Sequence, residues 1–169
     1  MNKMKEIRIE KLTLNMGTGK ESSKMDKSIK LLQTISNLKP IQTKAKKRIP
    51  TLGVRPGLPI GCKVTVRRNT EQMLKNLFQS IGNKISIRKF DSGGNFSFGI
   101  SEYLDIPGIE YNPEIGIIGL EVAVTLKRAG FRIKERKIKP RKIPQSHRIS
   151  KEEAIEFVKN KFHVEVEEK

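Results

Sequence analysis

Apolar and polar residues alternate along EIRIEKLTLNMG, with Ile7 and Ile9, then Leu12 and Leu14, on one side of an extended chain. The alternation slips by one residue between Ile9 and Leu12, which predicts a strand carrying a bulge or bend. The period then changes. In SSKMDKSIKLLQTISNL, Met25, Ile29, Leu32 and Ile35 recur at helical spacing, Ser22 or Ser23 supplies an N-cap, and Pro40 stops the helix. Alternation returns in PIQTKAK, which sets Ile41, Thr43 and Ala45 opposite Gln42, Lys44 and Lys46. It returns again in GCKVTVRR, with Cys62, Val64 and Val66 on one face and Lys63, Thr65 and Arg67 on the other. NTEQMLKNLFQSIG reads as a second amphipathic helix through Met73, Leu77 and Ile81, with Gly82 just past its end.

Short strands follow. KISIRKF leads through the turn DSGG into NFSFGISEYLDI, then into a loop holding Pro107 and Pro113. GIIGLEVAVTL is the clearest late strand, with Ile118, Leu120, Val122, Val124 and Leu126 on its core side. KRAGFRIKERKIKPRKIPQ is basic, punctuated by proline and reads as extended. Ser150 and Glu153 then make the S-x-x-E signature of a capped final helix. This order predicts an α+β fold: a largely antiparallel sheet with helices packed on one face, plus a basic C-terminal extension ending in a helix. It is read as one domain over 1–169, with the α+β core in 1–127 and the extension in 128–169. A sheet covered on one side exposes the other. Its outward positions, if the strands are neighbours, are Thr13, Asn15, Lys44, Lys46, Lys63, Thr65, Arg67, Asn95 and Ser97.

Charge sharpens that picture. The 169 residues hold 35 basic and 18 acidic side chains, a net +17. Such an excess opposes compaction by self-repulsion, so an anionic partner is the natural compensation. Thr43–Arg68 contains eight basic residues and no acid. Residues 1–50 carry 13 basic and 4 acidic residues, 51–100 carry 8 and 2, 101–150 carry 10 and 6, and 151–169 carry 4 and 6. The anion-binding face is therefore expected from the first hundred residues, with a second basic burst at Lys127–Arg148. No apolar run approaches the ~18 residues of a membrane span, and neither a signal peptide nor a basic amphipathic anchor is read at the N-terminus, so no membrane partner is expected. One cysteine, Cys62, leaves no internal disulfide framework.

Little in the sequence suggests catalysis. His147 and His163 have no Cys or His at zinc-ligand spacing, and Cys62 falls on the apolar side of a strand as a packed thiol. MGTGK lacks the spacing of a phosphate-binding P-loop and reads as a strand-to-helix turn. DSGGNFSFGI superficially resembles an RNA-recognition strand, yet Phe96 and Phe98 read as core residues, and 5% aromatics argue against base stacking. No cofactor is expected. Backbone recognition of folded RNA suits the composition. An RNA-processing or RNA-modifying enzyme using the same basic face is the alternative, and a chromatin-type DNA binder a weaker third reading.

KPIQTKAKKRIPTLGVRPGLPIGCKVTVR (39–67), LNMGTG (14–19) and DSGGNFSFGI (91–100) resemble the universal large-subunit ribosomal protein five family. RAGF (128–131) and HRISKEEAIEF (147–157) resemble the C-terminus of its archaeal and eukaryotic form, and the chain starts at the first strand without the extra helix of the bacterial form. The resemblance implies a non-enzymatic cytoplasmic protein of the large ribosomal subunit. It implies that the protein binds 5S rRNA, helps attach it in the central protuberance, and contributes to a bridge with the small-subunit head. The implied partners are 5S rRNA, large-subunit rRNA, peptidyl-site tRNA, neighbouring large-subunit proteins and a small-subunit head protein, without obligate homo-oligomerisation. Asn15 and Thr65 match RNA-contacting positions. Thr43, Lys44, Lys46, Lys47 and Lys63 fall in the matching basic strands, and Arg48, with Arg67 and Asn95 from the outward positions, completes the expected RNA-binding set. The loop Ile49–Pro59 matches the tRNA-facing loop, with Thr51, Arg55 and Gly57 presented to tRNA. Where the family pattern often has Gly-Gln before Lys-Pro, this chain has Asn37-Leu38, which removes a polar side chain at 38.

Overall fold

The computed structural model describes residues 2–19 and 21–167. Five strands form the main sheet in the order β2-β3-β1-β6-β5: β1 Ile7–Gly17, β2 Ile41–Lys44, β3 Pro59–Val66, β5 Phe96–Ile100 and β6 Leu120–Arg128. Every pairing in it is antiparallel. Two three-residue strands, β4 Lys84–Ser86 and β7 Glu165–Glu167, pair in parallel away from it. KISIRKF is thus only partly a strand, since Ile87–Lys89 turns into a 3-10 helix. The bulge expected between Ile9 and Leu12 is present: β1 and β6 pair at Ile9↔Leu126 and again at Lys11↔Thr125, leaving Glu10 as the extra residue. It turns Leu12, Leu14 and Met16 inward in phase with Ile9.

Helices α1 Ser22–Ser36, α2 Thr70–Gln79 and α4 Lys151–Phe162 cover one side of the sheet, while α3 Arg132–Glu135 is a single turn in the extension. Leu12, Leu14, Cys62, Val64, Val122, Val124, Phe96 and Phe98 point into a core shared with Leu31, Leu32, Leu74, Leu77 and Phe78. Ala154, Val158 and Phe162 of α4 belong to that same core, and Phe162 meets Phe78 at 5.5 Å between ring centroids. The C-terminal helix is therefore built into the domain. Its start is fixed as the sequence indicates, by reciprocal bonds between the Ser150 and Glu153 side chains and backbones.

Several local expectations are corrected. Glu21, not Ser22 or Ser23, is the N-cap of α1, and it makes no side-chain cap bond. The buried face of α1 runs through Met25, Ser28, Leu31, Leu32 and Ser36, leaving Ile29 and Ile35 half-buried. Asn37 ends the helix in the left-handed conformation, three residues before Pro40. Gly82 lies in a turn beyond the Ser80 C-cap of α2. Lys46 and Lys47 sit in a bend, because β2 stops at Lys44.

The inside-outside parity of β2 is also the reverse of the sequence reading. Ile41 pairs with Lys63 and Thr43 with Gly61, so both lie on the open side, and Ile41 is 66% exposed. An edge strand buries so little that its apolar residue did not fix the register. Finally, the basic segment expected to be extended is a folded loop. Arg136 N–H donates to Arg132 O (2.9 Å) and Arg141 N–H to Ile133 O (3.2 Å).

Candidate nucleic-acid interface

The pairing register arranges the uncovered face of the sheet in rows that cross the strands. One row reads Ile41, Lys63, Asn15, Glu121, Gly99 from β2 to β5. The next, two residues along, reads Thr65, Thr13, Ala123, Ser97. Lys11 and Thr125 face each other beyond it, and Arg8 and Lys127 beyond those. The second row holds nothing larger than threonine. It forms a shallow strip of small hydroxyl and methyl groups at the centre of the sheet, with lysines on both sides. Such a strip lets a sugar–phosphate backbone approach the sheet closely while flanking cations reach its phosphates.

The individual side chains agree with that geometry. Lys63, Thr65 and Arg67 are exposed, and Asn15, Thr43 and Thr13 half-buried. Asn15 Nδ2 donates to Glu121 Oε2 at 3.4 Å, a long bond that still leaves the amide exposed to solvent on its open side. Arg67 Nη1 lies 3.8 Å from Glu10, the bulge residue, so the bulge anchors one cation at the rim of the face. Gly61 is required where β3 passes the end of β1. A Cβ there would sit 2.6 Å from Met16 O and 3.1 Å from Thr43 Oγ1. Asn95 differs from the rest. Its Oδ1 accepts from Leu126 N–H (3.3 Å) and its Nδ2 donates to Asp91 Oδ2 (3.0 Å), so its side chain ties the DSGG turn to β6.

At the β2–β3 end the chain continues as a closed basic knob. Ala45 N–H donates to Leu58 O (2.8 Å), Gly57 N–H to Ala45 O (2.9 Å), and Ile49 and Val54 exchange bonds at 3.0 Å each way. Ala45 and Val54 are buried by this folding-back. The loop Ile49–Pro59 is therefore a short 3-10 tip, Pro50–Leu52, on a laddered stem rather than an open arm. Thr51, Arg55 and Gly57 are exposed on it. Lys44, Lys46, Lys47 and Arg48 line the same knob, exposed, and none forms an ion pair among the described residues.

The remaining chemistry is structural. His147 Nε2 is 2.8 Å from Ala129 O, and its ring meets Phe131 in a T-shaped contact with centroids 5.8 Å apart. His163 is the left-handed C-cap of α4. Burial pushes the Cys62 thiol up to about 11. Among the described residues no group of three His, Cys, Asp or Glu could hold a metal ion, and no helix is long and apolar enough to cross a membrane. Opposite in character to the basic face is the stretch Ser101–Gly119, which carries Glu102, Asp105, Glu110 and Glu114 and no basic residue. Tyr111 and Ile117 are exposed on it, and the Lys30–Glu114 pair (2.8 Å) pins it to α1.

Sequence reasoning missed Arg8, Lys11, Ala123, Thr125 and Lys127 as members of the open face. The signal was present for Lys11, which alternates in step with Thr13 and Asn15 once the bulge is placed at Glu10.

Residues 2–55 match the family described as ribosomal protein L5, and residues 59–157 match the model of that ribosomal family's C-terminus. The chain is 46% identical over 170 residues to the large ribosomal subunit protein uL5 of Sulfurisphaera tokodaii, covering 99% of this chain and 96% of that one. It is 42% identical over 168 residues to the uL5 of Methanosphaera stadtmanae (99% and 100%). Against the uL5 of Nanoarchaeum equitans it is 46% identical over 165 residues (96% and 97%).

Proposed function

Because this chain belongs to the ribosomal protein L5 family, and so is a structural constituent of the large ribosomal subunit, we propose that its open sheet face binds 5S rRNA and helps attach it in the central protuberance. The observation that carries this reading is the row Thr65–Thr13–Ala123–Ser97, a strip of small side chains flanked by lysines. Lys11 and Lys63 neutralise phosphates on either side of the strip. Asn15, Thr13 and Thr65 bond sugar hydroxyls and base edges along it, the 2′-hydroxyl serving as both donor and acceptor. Lys44, Lys46, Lys47 and Arg48 extend the charge onto large-subunit rRNA. Among the described residues no nucleophile–base pair or nucleotide loop supports an enzymatic use of the face.

The knob is the tRNA-facing element of this reading. Its laddered stem gives a rigid tip, with Arg55 placed to meet a phosphate of peptidyl-site tRNA and Thr51 and Gly57 beside it. Ser101–Gly119 suits a basic protein, such as a small-subunit head protein, because Glu102, Asp105 and Glu110, the carboxylates not paired with Lys30, repel RNA but complement a cationic partner, and Tyr111 and Ile117 add apolar contact area.

The test is the salt dependence of 5S rRNA binding. If about five to eight phosphates are neutralised, log K should fall against log[salt] with a slope of roughly −4 to −7. Lys63→Ala should flatten it by about one unit without unfolding the protein. Replacing Pro50–Gly53 with a Gly/Ser turn should leave 5S rRNA binding intact and reduce protection of tRNA in subunit footprinting. A salt-independent affinity, or tRNA protection unchanged by the replacement, contradicts the respective assignment.

A further inference from the structure

The extension that returns from β6 to α4 concentrates charge that no ion pair among the described residues balances. Between Arg132 and Arg148 stand Arg132, Lys134, Arg136, Lys137, Lys139, Arg141, Lys142 and Arg148, against one acid, Glu135. That is seven of the net seventeen charges in a tenth of the chain. All eight cations are exposed, and none forms an ion pair among the described residues. Nor is the segment a loose tail. The bonds from Arg136 N–H to Arg132 O and Arg141 N–H to Ile133 O close it into a loop, and Arg136 Nε donates to Lys139 O at 2.9 Å across the tip. Lys139 occupies the left-handed region at φ 47° to make that turn.

Its two roots are clamped to the domain. Arg128 Nη2 bonds Glu153 at 2.6 Å, His147 bonds Ala129 O, and Ile149 packs on Gly94. A fixed loop that holds eight like charges together stores repulsion, which a bound polyanion relieves. At the tip Ile138 is 77% exposed between Lys137 and Lys139.

We infer that the Arg132–Lys142 loop is a second RNA contact, separate from the sheet face, that grips the backbone of double-helical RNA. The inference rests on the reading of the chain as a ribosomal protein. The loop has no aromatic side chain on which an unpaired base could stack. Its lysines and arginines suit phosphates on both edges of the wide, shallow minor groove of A-form RNA, with Ile138 lying against the sugars between them. Glu10 and Thr125 of the sheet share a cavity of about 360 Å³ with Lys134, Lys142 and Arg148, so the loop stands at the border of the open face. The full chain can therefore hold one RNA on the sheet and a helix beside it.

The experiment measures salt-dependent binding of the full-length protein to three probes: a plain RNA duplex of about 20 base pairs, an oligouridine of the same length, and 5S rRNA. The variant Lys137→Gln/Lys139→Gln/Arg141→Gln/Lys142→Gln should keep the wild-type circular dichroism and melting curve. It should flatten the duplex slope by roughly three to four units and weaken duplex binding more than tenfold at low salt, at about −0.9 per phosphate released. Ile138→Ser should weaken duplex binding about threefold with no change in slope, since it removes contact area and no charge. Lys63→Ala is the control on the sheet. If the fourfold variant leaves the duplex slope unchanged while Lys63→Ala still weakens 5S rRNA binding, the loop inference is overturned and the sheet reading stands. Equal losses on oligouridine and duplex overturn the assignment to helical RNA. A wild-type protein that binds none of the three overturns the ribosomal-RNA reading, and the loop inference with it.

Discussion

Arg128 joins the end of β6 to the start of α4, and replacing it by methionine tests whether that clamp holds the basic extension in place. The side chain is 5% exposed; Nη1 donates to Arg148 O at 3.0 Å and Nη2 to Glu153 Oε1 at 2.6 Å, while Nε has no partner among the described residues. Each bond to the guanidinium is of the charged kind, about 1.5–3 kcal/mol. Two terms reduce the sum. Methionine removes the cost of burying a cation with one unpaired N–H, and the Glu153 side chain, 43% exposed, regains water when its partner leaves. The net expectation is a loss of about 2–3 kcal/mol, or about 5–10 °C in Tm for a domain of this size. Glu153→Gln preserves the capping geometry but removes the ion pair, and the double variant should lose less than the sum of the singles.

The pH dependence has a definite sign. The Ser150 backbone N–H, and after it the Arg128 guanidinium, holds the Glu153 carboxyl below the ordinary carboxylate range despite partial burial. Its contribution is therefore complete above that range and disappears as pH falls through the depressed folded value. Arg128→Met should flatten this acid limb as well as lower stability at neutral pH. Chemical denaturation of the four proteins between neutral and acid pH is the assay. A loss below about 0.5 kcal/mol for Arg128→Met, or strictly additive singles, would refute the clamp.

Other expectations follow from single contacts. Gly94→Ala places a Cβ 2.6 Å from Ile149 Cγ2 at a backbone φ of 76°, so denaturation should show a loss of about 2 kcal/mol, partly recovered by Ile149→Ala. Cys62, buried and with its thiol pushed up to about 11, should resist iodoacetamide at mildly alkaline pH until the protein is unfolded, as mass spectrometry would report. Asn15→Ala and Thr65→Ala should each cost about 1–3 kcal/mol of 5S rRNA affinity in calorimetry, with melting temperature nearly unchanged. Equal losses of stability and affinity would make these residues structural.

The local periods carried much of the architecture. The phase slip between Ile9 and Leu12 located the Glu10 bulge, Val64 and Val66 separated the two faces of β3, and Ser150 with Glu153 marked the start of α4. What escaped were features decided by distant contacts. Ile41 is apolar yet exposed, because β2 is an edge strand whose register is set by Lys63 and Gly61 across the sheet. The knob closes because Ile49 finds Val54 and Ala45 finds Leu58, backbone pairings that leave no periodic trace. The parallel pair β4–β7 brings together residues about eighty positions apart. Asn95 has the composition of an RNA contact, but its side chain is bonded to Leu126 and Asp91, neither of which is adjacent in sequence. Lysine at 63 and threonine at 65 could be placed outward from alternation alone. That Ala123 and Ser97 complete the same row required the strand order.

The row itself gives the most direct test of RNA binding on the open face. Ala123 is exposed at the centre of the strip, between Thr13 and Ser97, and makes no core contact that a larger side chain would disturb. Ala123→Glu plants length and negative charge where the RNA backbone is placed, while an exposed strand position tolerates the change within about 0.5 kcal/mol of stability. Binding of 5S rRNA to wild type, Ala123→Glu and the neutral control Ala123→Ser should be measured at one fixed salt concentration, beside thermal melts of all three. Glutamate should lower affinity at least about thirtyfold, serine should change it little, and the melts should superimpose. Full affinity in the glutamate variant, with the fold intact, would contradict the assignment of this face to RNA.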